Sequence, residues 1–116
     1  MNNHFKIIIP LYNVQDWIKI CIRSVKAQTY KNFQCIIIDD ISTDNSVEII
    51  NKEIAGDERF KLIVNTDKAF ALKNIYDGIN LSSPDDEDII VTLDGDDWLA
   101  GKDVLQHLNE IYNEEN

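Results

Sequence analysis

Four short apolar runs punctuate the chain, at residues 5–9, 33–38, 60–64 and 89–93. Runs of this length, bounded by turn residues, predict buried β-strands, and Pro10 closes the first of them. The stretches between them carry apolar residues at helical spacing. Ile18, Ile22 and Val25 repeat on one face, with Trp17 and Cys21 beside them. Asn13 is placed to cap a helix from Val14 to about Gln28, and Asp16 gives an approximate capping box. Val47, Ile50 and Ile54 mark a second helix, capped by Asp44 or a neighbour and ended at Gly56. Leu72, Ile75, Tyr76 and Ile79 fall at i, i+3, i+4 and i+7, the stripe of a third amphipathic helix. Ser82-Ser83-Pro84 breaks the chain there, and a last helix from about Lys102 to Tyr112 carries Val104, Leu105, Leu108 and Ile111.

The order is therefore β-α-β-α-β-α-β-α. Strands that are apolar on both faces are covered on both, which predicts a three-layer α/β/α arrangement around a mainly parallel sheet. Right-handed crossovers bring the C-terminal ends of parallel strands to one edge, and ligands of open α/β sheets bind at that edge. Strands end in unusual polar chemistry at Pro10-Leu11-Tyr12-Asn13, at Asp39-Asp40 and at Asp94-Gly95-Asp96-Asp97. All are expected on one rim.

Composition narrows the reading. The 116 residues, 44% of them apolar, suit one domain spanning residues 1–116. No apolar run approaches a membrane span, and the N-terminus lacks the basic and apolar regions of a signal peptide. A cytoplasmic protein is the expectation. A formal charge of −10 is the wrong sign for a nucleic-acid partner. Cys21 and Cys35 sit in apolar segments without CxxC or Cys/His spacing, and read as buried thiols. His4 and His107 have no partner at metal-ligand spacing, and Asp85-Asp86-Glu87-Asp88 reads as a solvated turn. An unpaired sheet edge leaves a homodimer possible.

At the rim, Asp94 and Asp96 flank a glycine just beyond a strand and can turn toward one point. Hard cations such as Mg²⁺ or Mn²⁺ take such oxygen ligands and share them with phosphates; a solvated acidic loop is the alternative. A diphosphate is the implied ligand, since an acidic rim holds one only with a cation between them. Of Asp39 and Asp40, one carboxylate is expected to brace the loop while the other faces the rim, suited to a base N–H or a ribose hydroxyl. Tyr12 offers a ring for a base to stack on, or is a packed rim tyrosine.

These segments together resemble family 2 glycosyltransferases. Ile7-Ile8-Ile9-Pro10-Leu11-Tyr12-Asn13 is similar to their opening "IIIPxYN", and residues 27–33 to the "QTYxxFE" after their first helix. Residues 36–46 are similar to "IIIDDGSTDxS", and residues 93–99 to "LDADDxL". The resemblance implies a GT-A fold, a nucleotide-diphosphate sugar donor, often UDP-linked, and Mn²⁺ or Mg²⁺. It implies that Tyr12 and Asp40 contact the base, with Pro10 supplying nearby backbone. Asp96 would be the direct metal ligand, Asp94 would lie nearer the ribose, and Asp97 would assist. It further implies an inverting transfer to an acceptor hydroxyl. Residues 68–79 stand in for the family's "GLAAARNxGI", with Lys73 where Arg is common; Lys73 or Lys68 reaches the diphosphate, or remains solvated. Ile41 replaces the usual glycine, so the loop after Asp40 is expected to take a shape that a β-branched residue tolerates. The family's acceptor-binding half and acidic catalytic base follow the "LDADD" region, so both are expected beyond residue 116. The chain then reads as the donor-binding half of a glycosyltransferase, or as a catalytically incomplete nucleotide-binding or assembly fragment.

Overall fold

Each apolar run becomes a strand of one parallel sheet. The computed structural model describes residues 2–115, in the order β1 (Phe5–Leu11), α1 (Ile18–Lys26), β2 (Phe33–Asp39), α2 (Ser46–Ile54), β3 (Phe60–Val64), α3 (Phe70–Ser82), β4 (Ile89–Thr92) and α4 (Val104–Glu115). The sheet order is β3-β2-β1-β4, and every pairing is parallel. The period of two along each strand sorts side chains between two cores. Ile7, Ile9, Cys35 and Ile37 pack on one face with Ile22 of α1, Ile50 of α2 and Leu105 of α4. Ile8, Ile36 and Ile38 pack on the other, against Ile79 of α3. The layers are thus α/β/α, as the pattern predicts, with α3 on the side opposite the other helices. None of the described helices is long and apolar enough to cross a membrane.

The first helix departs from expectation. It starts at Ile18 rather than Val14, and its cap position, Trp17, makes no side-chain capping bond. Asn13 is engaged elsewhere: it lies at φ +50°, and its amide oxygen accepts the N–H groups of Thr43 (2.7 Å) and Asp44 (3.3 Å). The backbone N–H groups of Val14 and Gln15 donate to Ser46 Oγ and Asp44 Oδ2. The loop after β2 thus satisfies donors that a capping residue would otherwise serve, and it ties the ends of β1 and β2 together.

The third helix is rotated relative to its apolar stripe. Asn74, Gly78 and Ser82 face inward, whereas Leu72 and Tyr76 are 83% and 66% exposed. The reason is the approach distance: a Cβ on Gly78 would lie 2.6 Å from Ile8 Cγ2 and 2.9 Å from Ile38 Cδ1. The helix backbone sits directly on the isoleucines at the sheet centre, so small residues four apart form its inner face.

Candidate active site

The site begins where β1 and β4 part. Crossovers run from β1 to β2 on one side and reach β4 on the other, so the order reverses between β1 and β4, the place where open α/β sheets bind ligands. The β1–β4 register ends at Ile8 and Thr92. Two residues on, Pro10 has no N–H to offer a neighbour, although its carbonyl still accepts the N–H of Gly95 at 3.2 Å. A proline in a central strand is tolerated here because the ladder with β4 has already ended. β1 accordingly runs through Pro10 to Leu11 instead of stopping at it.

A cavity of about 240 Å³ opens at that gap. Pro10 lines it from β1 and Tyr12 from just beyond it, Asp40 from just beyond β2, Ala71 and Asn74 from α3, and Asp94, Gly95 and Asp96 from the loop after β4. The predicted rim segments therefore converge. Gly95 is required for the approach: a Cβ there would lie 2.7 Å from Leu11 Cβ, so the glycine seats the loop on β1 with Asp94 and Asp96 exposed on either side. Asp97 and Lys73 are not in the lining. Asp97 accepts the N–H of Trp98 at 2.9 Å, and Lys73 pairs with Asp77 at 2.7 Å on the exposed side of α3.

Alternation assigns opposite tasks to the aspartates ending β2. Asp39 points to the α1/α2 side and accepts the N–H of Ser42 at 3.1 Å, bracing the loop; its Oδ1 is buried without a partner among the described residues. Asp40 points to the α3 side and is saturated. Its oxygens accept the N–H groups of Ala69 and Phe70, both at 2.8 Å, and the Asn65 amide at 3.1 Å. Lys68 Nζ lies 3.4 Å from Oδ2. Burial raises the pKa of this carboxyl, but the Ala69, Asn65 and Phe70 donors and the Lys68 charge outweigh it and hold the group at about 2.

Lys68, where the family pattern has glycine, also sits over the Tyr12 ring, 3.2 Å from its centroid, a cation–π contact that fixes the ring. The sequence left Lys68 between a diphosphate contact and a solvated position; its neighbours in the structure are Asp40 and Tyr12. It also gave no role to Asn65 or Asn74. Asn65 donates to both Asp40 Oδ1 and Asn74 Oδ1 (2.7 Å). Asn74, four residues before Gly78 on the same helix face, was the available signal, and the misjudged helix rotation hid it.

Ile41 takes a left-handed backbone, at φ +65°, the region that favours glycine. The expectation of a loop reshaped for a β-branched residue is therefore not met: the bonds around Asp39, Asp40 and Ser42 hold the loop, and Ile41 bears the strain.

The carboxylates of Asp94 and Asp96 have no hydrogen-bond partner among the described residues. Among those residues no three His, Cys, Asp or Glu side chains cluster to hold a metal alone. Two unpaired carboxylates on a cavity still fit a hard cation that draws its other ligands from phosphate and water. Their field reaches Cys21 beneath the loop. Burial first, then the charges of Asp97, Asp96 and Asp94, push its thiol up to about 12.

A three-layer parallel fold with an acidic crevice at its switch point defines a class of α/β protein built to hold a polar ligand beyond its strand ends. A profile of glycosyl transferase family 2 matches residues 6–116, and the chain belongs to that family. It is 40% identical over 106 residues to an uncharacterized glycosyltransferase of Haemophilus influenzae, covering 89% of this chain and 40% of the relative. Solved structures sharing the fold include Staphylococcus aureus TarS 1-349 in complex with UDP (TM-score 0.83, 21% identity, 96% of this chain and 32% of that one). Another is the mannosyltransferase PcManGT from Pyrobaculum calidifontis in complex with GDP-Man and Mn²⁺ (TM-score 0.81, 17% identity, 96% and 32%). The chain thus spans well under half the length of these proteins, and its fold is the GT-A arrangement.

Proposed function

We propose that this chain is the donor-binding portion of a metal-dependent glycosyltransferase that takes a sugar from a nucleotide diphosphate, UDP foremost, and transfers it with inversion to an acceptor hydroxyl. The observation that carries the reading is the crevice itself: a fixed aromatic ring at one wall and two unpaired carboxylates at another, joined at the sheet's switch point. Tyr12 presents its ring to the base, and Pro10 supplies the backbone floor. Asp40 reads a base N–H once Lys68, the longest of its contacts at 3.4 Å, yields its place. Asp94 and Asp96 would hold Mn²⁺ or Mg²⁺, with Asp97 behind them and Asp94 also near the ribose. When bound, the ion neutralises the diphosphate and favours its departure. Lys73 would reach the diphosphate only by leaving Asp77. The acceptor-binding half and the general base belong to the remainder of a longer protein. That TarS is known in complex with UDP, and PcManGT in complex with GDP-Man and Mn²⁺, supports the choice of ligand.

Calorimetric titration of UDP in Mn²⁺ and in EDTA, on wild type and Asp96→Ala, tests the reading. Metal-dependent binding that the substitution abolishes is expected. Failure of UDP and other nucleoside diphosphates to bind the folded protein would refute it.

A further inference from the structure

We infer that Asn74 is a base-reading residue: its amide N–H₂ donates into the cavity to a carbonyl oxygen of the nucleobase, next to the N–H assigned to Asp40. The inference rests on the proposed donor site and goes beyond it by naming the group that selects the base.

Asp40 fixes the orientation of both neighbouring amides. Two backbone N–H groups donate to its carboxylate, so the Asn65 atom 3.1 Å from Oδ1 must be a donor too, the amide nitrogen. That same nitrogen lies 2.7 Å from the Asn74 side chain, so Asn74 must present its oxygen there. The orientation of Asn74 is thereby fixed from the carboxylate outward, in a way a single amide contact would not achieve. Its nitrogen is left over. Asn74 is 1% exposed and lines the cavity, yet Nδ2 has no partner among the described residues and is not sealed in the protein. A buried amide with one end satisfied and the other opening on a cavity is a donor awaiting an acceptor, since leaving it unpaired is costly.

The acceptor is assigned by position. Asn74 is tied through Asn65 to Asp40 and so belongs to the base end of the cavity, while Asp94 and Asp96 supply the end suited to a cation and diphosphate. Pyrimidine imides place an N–H directly beside a carbonyl, which matches an acceptor on Asp40 and a donor on Asn74. Asp40 already holds four donors and must exchange one to bind a base, whereas Asn74 needs no rearrangement.

Calorimetry with Mn²⁺ on wild type and Asn74→Ala, using UDP, 2-thio-UDP and 4-thio-UDP, tests the assignment, because a thiocarbonyl is a weak acceptor. One thio analogue is expected to bind wild type about tenfold more weakly than UDP. Asn74→Ala should bind UDP about tenfold more weakly and no longer distinguish it from that analogue. The wild-type comparison stands even if the variant folds poorly. Equal binding of UDP and both thio analogues to wild type would overturn the inference. So would an Asn74→Ala loss identical for all three ligands, which would put the amide on a diphosphate oxygen. Those results leave the donor site intact; absence of any UDP binding would instead refute the site and this inference together.

Discussion

The inward face of α3 decides whether Asn74 and Ala71 reach the cavity at all, and Gly78 tests it. Adding a methyl at 78 gains about 1 kcal/mol of helix propensity. It also places a Cβ 2.6 Å from Ile8 Cγ2 and 2.9 Å from Ile38 Cδ1. Ile38 Cδ1 is a chain end and can turn away, but Ile8 Cγ2 is fixed to its branched Cβ in the central strand. Overpacking of this kind costs about 1–3 kcal/mol, so Gly78→Ala should lose about 1 kcal/mol net. Gly78→Val, with two further methyls and a stiff χ1, should lose about 3 kcal/mol. Leu72→Ala and Tyr76→Ala, at side chains 83% and 66% exposed, should stay within about 0.5 kcal/mol of wild type. Were the apolar stripe inward instead, Leu72→Ala would cost about 2–5 kcal/mol, and Gly78 would tolerate substitution. Urea unfolding followed by circular dichroism separates the cases through the midpoint at constant slope. A Leu72→Ala loss above about 2 kcal/mol with Gly78→Val near neutral would refute the helix orientation, and with it the placement of Asn74.

Asp40→Asn should destabilise by about 3 kcal/mol, because an amide turned toward the Ala69 and Phe70 N–H groups leaves donors facing donors and Lys68 unpaired; urea melts at neutral pH measure it. The folded Asp40 carboxyl sits at about 2 against its ordinary 3.8. Its contribution, about 2 kcal/mol, is therefore complete above pH 4 and lost as pH falls toward 2, and an acid titration of Asp40→Asn should lack that loss. Asp44 and Asp57, also lowered, act in the same sense. Cys21, raised from 9.0 to about 12, stays neutral when folded, so stability should fall as pH climbs above 9, and alkylation at pH 8 should proceed only at the rate of unfolding; fast labelling of folded protein would contradict its burial. Ile41→Gly should match or exceed wild-type stability, since relief of about 1–2 kcal/mol of left-handed strain outweighs a glycine entropy cost of about 0.5–1 kcal/mol; a clear loss in thermal melts would show that its partly exposed side chain holds the loop.

Much of this was legible in the sequence because the sheet is buried on both faces. Continuous isoleucine runs have few other uses, and β-α alternation with right-handed crossovers leaves little choice of rim. Asp39 and Asp40, adjacent at a strand end, had to point to opposite layers. What escaped was contact that periodicity does not encode. Gly78 and Asn74 form an inner helix face because isoleucines protrude from the sheet beneath, a fact held in the sheet and not in the helix. Asn13 looked like a cap and became a tether, because Thr43 and Asp44, thirty or so positions away, claimed its side chain. Lys68 was judged by its charge, and its position over Tyr12 and beside Asp40 is a long-range contact that no local pattern encodes.

The hydrogen-bond inventory of the crevice separates what builds the site from what remains for a ligand. Asn13, Asp44, Ser46 and Asn65, with one oxygen of Asp39, spend polar atoms joining the ends of β1 and β2 and the start of α3. Positive φ angles at Asn13, Ile41 and Phe70 fall beside Tyr12, Asp40 and Ala71, so the loops after β1 and β2 and the turn into α3 carry backbone strain that those bonds sustain, whereas the loop after β4 reaches the cavity without it. Asp40 belongs to both groups: it anchors α3 through backbone N–H groups, and only its contact with Lys68 is loose enough to exchange. Ligand recognition therefore falls to the groups left unpaired at the cavity, namely the Asp94 and Asp96 carboxylates and the Asn74 amide, and to the Tyr12 ring that Lys68 steadies. An aromatic face, a directed donor and a cation-holding acid pair, fixed before any ligand arrives, suit a base linked to a diphosphate, and preorganisation keeps the ordering cost of binding low.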